Sequence, residues 1–185
     1  MTVSPELVVL VAPDGTATGT APKATVHTAD TPLHLAFSCY VQRESGELLI
    51  TRRSLHKLTW PGIWTNSMCG HPGPGEDFEA AIARRATVEL GLPEDVLVDV
   101  RCILPEFAYR ATDSSGVVEW EICPVFRATL PEGVDVQPSH LEVDSHTWVS
   151  PQNLISAVHS APFAFSPWMA EQLTNKELRD ALLGK

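Results

Sequence analysis

The most informative segment of this chain runs from Trp60 to Leu92 and reads WPGIWTNSMCGHPGPGEDFEAAIARRATVELGL. It begins as a Pro- and Gly-rich loop that carries Cys69, and it continues into a pattern of apolar residues at helical spacing. Asp77 can cap a helix at this point, and Gly91 can end it. We therefore predict a helix over residues 77–90, directly after a loop with chemically reactive side chains.

Part of this segment resembles the Nudix box, the loop and helix that bind Mg²⁺ and a diphosphate group in Nudix enzymes. The residues at matching spacing are Gly70, Glu76, Arg84, Glu89, Gly91 and Leu92. Two acidic positions of the box are missing, because Arg85 and Val88 stand where Nudix hydrolases carry glutamate. The resemblance implies a diphosphate site without the full set of hydrolytic metal ligands, which points away from hydrolysis.

Length and composition describe an ordinary globular protein. With 185 residues, the chain can form one domain (1–185) that buries about 70% of its unfolded surface. Apolar residues make up 44% of the sequence, and no run of 18 apolar residues predicts a membrane span. The net charge of −10 lacks the basic character of nucleic-acid-binding proteins. We expect neither a nucleic acid nor a membrane as partner.

Location and assembly follow from weaker signals. The first residues lack the cationic segment and the small-residue cleavage site of a signal peptide, which favours a cytoplasmic location. No long apolar surface stripe demands a partner chain, so we expect a monomer. An anionic substrate in so acidic a protein needs locally concentrated cations, bound divalent metals, or both.

Hydrophobic patterns along the chain predict an α+β fold. Single strands are predicted at residues 7–12 and 144–149. Two pairs of strands are predicted, a hairpin of 33–42 with 47–52 and a second pair of 98–109 with 117–128. Further helices are predicted from about residue 151 and over residues 167–183. We expect Nudix-like mixed or antiparallel β-sheets that are sandwiched by α-helices.

The four cysteines are widely spaced, and no Cys-x-x-Cys pair occurs. A cytosolic setting predicts no disulfides. Cys39, Cys102 and Cys123 lie in apolar runs, which predicts small buried side chains. Cys69 differs, because it lies on the Gly/Pro loop beside His71.

Two glutamates on one predicted strand suggest a metal site. Glu119 and Glu121 project from the same face because side chains alternate along a strand. The alternative is a solvated strand face, but the following Cys-Pro-Val-Phe run indicates a buried strand, where bare charges are costly. Candidate co-ligands are His27, His34 and His71, although each histidine alone could equally be a surface or core residue. Three histidines and two glutamates would suit Mn²⁺, Zn²⁺ or Mg²⁺.

Other charged and aromatic residues flank the same loops. Glu89 either forms a surface ion pair with Arg85 or holds a Mg²⁺ that bridges diphosphate oxygens. Several basic residues near these loops suit phosphate oxygens, namely Lys23, Arg52, Arg53, Lys57, Arg84 and Arg85. The aromatic residues Trp60, Trp64, Tyr109 and Trp168 are either core residues or the lining of a site that forms a carbocation.

Taken together, these residues resemble the type I isopentenyl-diphosphate isomerases of the bacterial kind. The matching segments occur in family order over nearly the whole chain and comprise His27–Asp30, Leu33–Ser38, Thr51–Arg53, Trp60–Gly62, Trp64–Ser67, Cys69–Pro72, Tyr109–Asp113, Glu119, Glu121–Val125 and Phe165–Met169. The family interconverts isopentenyl and dimethylallyl diphosphate, so the resemblance implies the same activity here.

The resemblance also implies individual roles. It makes Cys69 and Glu121 the acid/base pair, with Tyr109 and Trp168 lining the hydrocarbon pocket. The implied metal ligands are His27, His34, His71, Glu119 and Glu121 for one divalent ion, and Glu89 with the Cys69 carbonyl for the Mg²⁺ that grips the diphosphate. The implied diphosphate contacts are Lys23, Arg53, Lys57 and Arg85. Cys69 is expected to act as a thiolate in an electropositive setting.

Two other functions stay open at this point. A Nudix hydrolase of a nucleoside diphosphate derivative would release phosphate or a nucleoside monophosphate, and it would need the acidic pair that Arg85 and Val88 replace. A non-catalytic metal- or ligand-binding module would keep its role without Cys69.

Overall fold

The computed structural model describes residues 6–185, which form two β-sheets with helices packed around them. The strands are β1 (Leu7–Val11), β2 (Ala17–Pro22), β3 (His34–Leu35), β4 (Phe37–Arg43), β5 (Leu48–Arg53), β6 (Trp64–Thr65), β7 (Met68–Gly70), β8 (Val98–Leu104), β9 (Ala108–Thr112), β10 (Val118–Ile122), β11 (Val125–Leu130) and β12 (Val143–Val149). The helices are α1 (Lys23–Val26), α2 (Phe78–Leu90), α3 (Pro151–Ser160), α4 (Pro167–Gln172) and α5 (Lys176–Leu183).

Both sheets are mixed. The first has the strand order β2-β1-β3-β10-β9, and the second has the order β12-β5-β4-β11-β8, with β6 paired to β5 and β7 paired to β4. Most neighbours are antiparallel, but β10 runs parallel to β3, and β11 runs parallel to β4.

The chain passes from the first sheet to the second at two places, and these two crossings lie next to each other. Between β3 and β4 only Ala36 intervenes, and its N–H donates to the carbonyl of Ile122 at 2.9 Å. Between β10 and β11 the crossing is Cys123-Pro124. Next to these crossings, Glu121 pairs with His34, and Ser38 pairs with Cys69. The crossing of the two sheets therefore gathers residues from four separate strands, β3, β4, β7 and β10.

Helix α2 has the ends that the sequence predicts. The Asp77 carboxylate accepts a hydrogen bond from the Ala80 N–H at 2.7 Å, which satisfies a free donor of the first turn. Gly91 ends the helix in the left-handed conformation, with φ of 64°. A Cβ atom at Gly91 would lie 2.2 Å from the carbonyl oxygen of Gln137. Glycine is required there because the following chain packs directly on the helix end.

Helices cover both faces of the second sheet. On one face, α2 packs through Ile82 and Leu90 against the side chains of β4 at Cys39 and Val41. On the other face, the helices of the last 35 residues pack against Tyr40 and its neighbours. The alternation along β4 matches the period of two that a strand imposes. The predicted fold class, mixed sheets sandwiched by helices, is confirmed.

Two details of the prediction are wrong. Residues 167–183 do not form one helix, because the chain breaks after Gln172 and Asn175 begins a new helix. Cys102 is exposed, since it lies on β8, the edge strand of the second sheet. The predicted second hairpin pairs as expected, but it is split between the sheets, with β9 on β10 in one and β8 on β11 in the other. Among the described residues, no helix has the length and apolar character needed to cross a membrane.

Candidate active site

A cavity of about 450 Å³ lies beside the crossing of the two sheets. This volume is typical of small-molecule sites. The lining includes most residues that the sequence singled out: Lys23, His27, Arg53, Lys57, Cys69, His71, Arg85, Glu89, Tyr109, Glu119, Glu121 and Trp168. His34 lies fully buried behind this lining. Arg52 points elsewhere, since it pairs with Asp144 at 3.0 Å on the surface.

Three histidines and one carboxylate converge at one end of the cavity. The Glu121 Oε1 atom lies 3.1 Å from His71 Nε2, 3.3 Å from His34 Nε2 and 3.8 Å from His27 Nε2. One potential ligand atom from each of these four residues lies within 4.8 Å of the others. His34 reaches this point because β3 pairs with β10 opposite Glu121.

The donor set fits a divalent metal ion. The Nδ1–H of His34 donates to the Pro32 carbonyl at 2.9 Å, which leaves its Nε2 lone pair facing the cluster. Within residues 6–185, two buried ring nitrogens have no hydrogen-bond partner, Nε2 of His27 and Nδ1 of His71. Buried polar atoms are normally satisfied, and a cation would satisfy Nε2 of His27. Neutral imidazoles with a carboxylate are common ligands of such ions.

Electrostatics favour the neutral ring of His71 and the anion of Glu121, which are the ligand-competent forms of these two groups. Burial favours the neutral imidazole and lowers the pKa of His71 to about 4. Burial also opposes the charge on His34, but the Glu121 carboxylate outweighs it and raises the pKa of His34 above its ordinary value. Burial opposes ionisation of Glu121, yet hydrogen bonds from the histidines hold its pKa well below the ordinary value. Glu121 is therefore an anion at neutral pH.

Tyr109 connects the two glutamates of β10. Its hydroxyl lies 2.7 Å from Glu119 Oε2 and 2.9 Å from Glu121 Oε2, so one proton is shared between two carboxylates. Glu119 also accepts a hydrogen bond from Thr59 and lies 3.9 Å from Arg53. Glu119 therefore lies next to the histidine cluster rather than within it, and both glutamates are buried on the same face of β10.

The other end of the cavity carries four cations, and each has a carboxylate neighbour. Lys23 contacts Glu6 at 3.0 Å, and Arg85 donates to Glu89 from inside helix α2. Glu142 accepts from Lys57 and lies 3.3 Å from Arg85. The ion pair of Arg85 and Glu89 is buried, not on the surface.

Sequence analysis missed two acidic residues of this site, Glu6 and Glu142. Neither lies in a motif that suggested a ligand, and only the tertiary contacts with Lys23, Lys57 and Arg85 reveal them. With these two residues, the carboxylates of the cavity outnumber its lysines and arginines by five to four. An anionic ligand there needs bound cations to compensate the charge.

Hydrogen bonds pair the polar residues of the Nudix-like loop with each other and with helix α2. Arg84 forms two hydrogen bonds of 2.8 Å with Glu76 and donates to the His71 carbonyl at 3.1 Å. Glu76 in turn accepts from the Gly73 N–H at 2.8 Å. A Cβ atom at Gly70 would lie 2.8 Å from the Arg85 side chain, so glycine lets the loop approach the helix.

Cys69 lies in a setting that differs from the predicted one. Burial raises the pKa of its thiol to about 12, and the nearby charges of Glu89 and Glu121 raise it further against thiolate formation. The predicted electropositive setting is therefore wrong for the protein without bound metal ions. The polar neighbours of the Cys69 sulfur are Ser38 and Asn66, each at 3.4 Å. Without bound metal ions, the Cys69 side chain is therefore a protonated thiol at neutral pH.

Aromatic rings close the cavity floor. Trp168 is almost fully buried, and its ring centroid lies 5.7 Å from Tyr109 and 5.4 Å from Trp60. The Arg53 guanidinium lies 5.3 Å from the Trp168 centroid, so this ring already attracts a cation.

Comparisons with known proteins agree with this geometry. Residues 32–172 match the family described as NUDIX domain. An isopentenyl-diphosphate Delta-isomerase from Corynebacterium diphtheriae is 60% identical over 177 residues, with 96% of each chain covered. A protein of the same name from Corynebacterium glutamicum is 57% identical over 183 residues, which cover 99% of this chain and 97% of the relative. A crystal structure from Deinococcus radiodurans superimposes with a TM-score of 0.69 at 19% identity, covering 91% of this chain and 98% of the other.

The family match and the shared fold define the class, which is that of the Nudix proteins. Within this class, the sequence differs from the hydrolase pattern at Arg85 and Val88. Arg85 is buried against Glu89, and Val88 is half exposed and does not line the cavity. The chain belongs to the isopentenyl-diphosphate Delta-isomerase family, with 57–60% identity to two of its members over nearly the whole length. The resemblance inferred from the sequence motifs is confirmed.

Proposed function

We propose that this chain interconverts isopentenyl diphosphate and dimethylallyl diphosphate, the five-carbon precursors of isoprenoids. The observation that carries the proposal is a single cavity whose lining combines Cys69 and Glu121 with the aromatic rings of Tyr109 and Trp168 and with four lysine and arginine side chains. Membership of the isomerase family supports the same activity.

The reaction moves a C=C bond by one carbon, so one proton enters at C4 and one leaves from C2. Protonation of the alkene gives a tertiary carbocation at C3, and loss of the C2 proton forms the new double bond. We assign these proton transfers to Cys69 and Glu121, which both reach the cavity. No bond between substrate and protein is needed, and the net proton balance is zero.

The diphosphate is assigned to the cationic end of the cavity. Lys23, Arg53, Lys57 and Arg85 would contact its oxygens, because all four line the cavity and ammonium and guanidinium groups donate well to phosphate. Because each of these cations already has a carboxylate neighbour, a diphosphate needs a further compensating cation, and we assign Mg²⁺ to Glu89 and the Cys69 carbonyl. Carboxylate, carbonyl and phosphate oxygens are the ligands that Mg²⁺ prefers.

A second divalent ion, Mn²⁺, Zn²⁺ or Mg²⁺, is assigned to His27, His34, His71 and Glu121, with Glu119 as a further ligand. Support comes from the convergence of the four donor atoms and from the unpartnered Nε2 of His27. A cation bound there favours the ionised form of the Glu121 carboxyl and makes its protonated form a stronger acid.

Tyr109 and Trp168 are assigned to the hydrocarbon part of the substrate. The Tyr109 hydroxyl holds Glu119 and Glu121 in place, and the buried Trp168 ring offers its negative face to a positive charge. Such an attraction is worth about 2 kcal/mol when the partners are desolvated. The rings also exclude water, which would otherwise capture the carbocation.

The expected monomeric state and the cytoplasmic location, and the absence of nucleic-acid or membrane partners, stay predictions. Size-exclusion chromatography with light scattering tests the first directly. A mass near 40 kDa in place of 20.2 kDa would contradict it.

The decisive experiment incubates the metal-loaded protein with isopentenyl diphosphate and Mg²⁺ in D₂O. We expect dimethylallyl diphosphate with deuterium in the methyl group that derives from C4, observed by NMR. Cys69→Ala and Glu121→Gln should remove turnover while circular dichroism shows an intact fold. Folded, metal-loaded protein without product or deuterium would contradict the proposal.

Parallel assays with the same metal-loaded protein separate the two rival functions. A Nudix hydrolase would release inorganic phosphate or a nucleoside monophosphate from nucleoside diphosphate derivatives, which malachite green detects after phosphatase treatment. A binding module would retain pyrophosphate and metal affinity but show no turnover, and Cys69→Ala would leave both affinities unchanged.

A further inference from the structure

We propose that Asn66 is a positioning residue that fixes the Cys69 thiol relative to the Trp168 indole; this inference rests on the proposed function. Asn66 is fully buried in the loop between β6 and β7, and it does not line the cavity. Its effect on the reaction must therefore act through the two side chains that it holds.

The orientation of the Asn66 amide is fixed by its partners. Its Nδ2 group donates to the main-chain carbonyls of Met68 at 2.8 Å and Cys39 at 3.2 Å. Carbonyls only accept hydrogen bonds, so they must face the amide nitrogen. The Asn66 oxygen consequently points in the opposite direction, towards the site.

That oxygen joins two parts of the site that the backbone leaves separate. It accepts the Trp168 Nε1–H at 3.1 Å and the Cys69 S–H at 3.4 Å. An indole nitrogen only donates, so the contact with Trp168 confirms the orientation of the amide. The Thr65 hydroxyl is a third donor, at 2.9 Å.

Such a link matters because Cys69 and Trp168 belong to different layers. Cys69 lies on β7 in the second sheet, whereas Trp168 lies on α4, a helix of only six residues packed outside it. Other hydrogen bonds hold the two ends of this short helix, at Ser166 and Gln172, but none of them reaches the indole, so Asn66 supplies the direct link between thiol and ring. Proton transfer and carbocation stabilisation both need fixed atoms, and a displacement of 1 Å can cost about 100-fold in rate.

A separate hydrogen bond keeps helix α4 attached to the second sheet when Asn66 is replaced. Gln172, also on α4, donates to the Ser38 hydroxyl at 2.9 Å, and this hydroxyl lies 3.4 Å from the Cys69 sulfur. Tyr40 holds Gln172 from the other side at 2.9 Å. Removal of Asn66 should therefore loosen the thiol and the indole rather than detach α4.

The first test compares Asn66→Ala and Asn66→Ser with wild-type protein in the isomerase assay. The serine variant is the milder change, because its hydroxyl can donate to one of the two carbonyls. We expect kcat to fall about 10- to 100-fold while KM stays within about threefold, since no diphosphate-binding side chain contacts Asn66. Binding of Mg²⁺ and pyrophosphate, measured by calorimetry, should not change.

Thr65→Val is the matched control. It removes the third donor to the same oxygen in a similarly buried position, together with the Thr65 contact to Ser166 at the start of α4, but Thr65 makes no hydrogen bond to Cys69 or to the Trp168 indole. Its kcat should stay within about threefold of wild type. Equal losses in the control and in Asn66→Ser would show that any disturbance of this buried network is sufficient, and the proposal would be wrong.

A double-mutant cycle tests whether Asn66 acts through Trp168. Trp168→Phe removes the indole N–H, so Asn66→Ser should cost less in that background than in wild type. Equal costs in both backgrounds would overturn the link.

A readout without turnover separates this proposal from the proposed function. Alkylation of Cys69 by iodoacetamide, followed by peptide mass spectrometry, should be at least about threefold faster in Asn66→Ser, because a freed side chain reaches solvent more often. Unchanged alkylation together with unchanged kcat overturns the positioning role. Absence of isomerisation in wild type, with faster alkylation in the variant, refutes the function but leaves the positioning of the thiol intact.

Discussion

Replacement of Glu142 by glutamine should destabilise the protein at neutral pH but not in strong acid. The carboxylate lies between two cations, with Lys57 donating to one oxygen and Arg85 at 3.3 Å from the other. Partial burial opposes its ionisation, yet Lys57 and Arg85 hold the pKa of Glu142 at about 2, compared with an ordinary value of 4.5. Glu142→Gln keeps the shape and removes the charge.

The size of the effect follows from this pKa difference. A group with a depressed pKa in the folded state stabilises the protein above its unfolded pKa, and this stabilisation disappears as the pH falls through the folded value. The full shift corresponds to roughly 3 kcal/mol as an upper limit. Because the Glu142 side chain is 19% exposed, we discount this for solvent screening to about 1–2 kcal/mol.

Urea denaturation at a series of pH values measures the difference between variant and wild type. We expect a loss of about 1–2 kcal/mol at pH 7, a decreasing difference between pH 4.5 and 2, and no difference near pH 2. Asp144→Asn, two residues further along the chain, is the matched control, since Asp144 forms a surface pair with Arg52. Such pairs contribute about 0.5 kcal/mol or less.

The same substitution should affect the binding of anions. Lys57 and Arg85 lose a competing carboxylate in Glu142→Gln, so pyrophosphate should bind about fivefold tighter, equivalent to about 1 kcal/mol. A stability difference that is independent of pH, or zero at pH 7, would refute the electrostatic account of Glu142. Weaker pyrophosphate binding would show that Glu142 assists the ligand instead of competing with it.

Three further outcomes are expected. Gly91→Ala should lower the free energy of unfolding by at least about 2 kcal/mol in urea titrations, because φ is positive and the new Cβ would lie 2.2 Å from the Gln137 carbonyl oxygen. His34→Ala should weaken Zn²⁺ or Mn²⁺ affinity at least about tenfold in calorimetry, since one of the converging imidazoles is lost. In the native protein a thiol reagent should react rapidly with the exposed Cys102 and slowly with Cys69, whose pKa is about 12.

Each of these outcomes has a control. Gly75→Ala adds a Cβ at a similar positive φ where nothing lies within 4 Å, so it should cost only about 1 kcal/mol. His146 is exposed on β12, and His146→Ala should leave metal affinity unchanged. All four cysteines should react with the thiol reagent in urea. Rapid reaction of Cys39 or Cys123 in the native protein would contradict their burial, and rapid reaction of Cys69 would contradict its raised pKa.

Local sequence patterns predicted the elements whose structure depends on neighbouring residues. Helix α2 begins after Asp77 and ends at Gly91 as expected, because caps act within one turn. Glu119 and Glu121 share a buried face because alternation is a property of every strand. The helix predicted for residues 167–183 failed because apolar spacing continues across the break after Gln172.

The candidate site was predicted as a set of residues without its internal contacts. Motifs named the histidines and Glu121, but the hydrogen-bonding atoms and their separations depend on the pairing of β3 with β10, which joins positions far apart in sequence. Glu142 and Asn66 gave no signal of a special role, because their importance comes from what lies beside them in space.

The sequence by itself determined the class of this protein, its candidate site residues and the limits of its central helix, since these follow from local spacing and from motifs in family order. Only the tertiary structure decided that each lysine and arginine of the cavity has a carboxylate neighbour, that the partly buried Cys69 faces the cavity, and that one amide oxygen of Asn66 holds both thiol and indole. The physical reason is that burial and pairing are set by long-range packing. Long-range packing fixes the solvation and the partner of each charge, and neither can be deduced from the neighbouring residues in the chain.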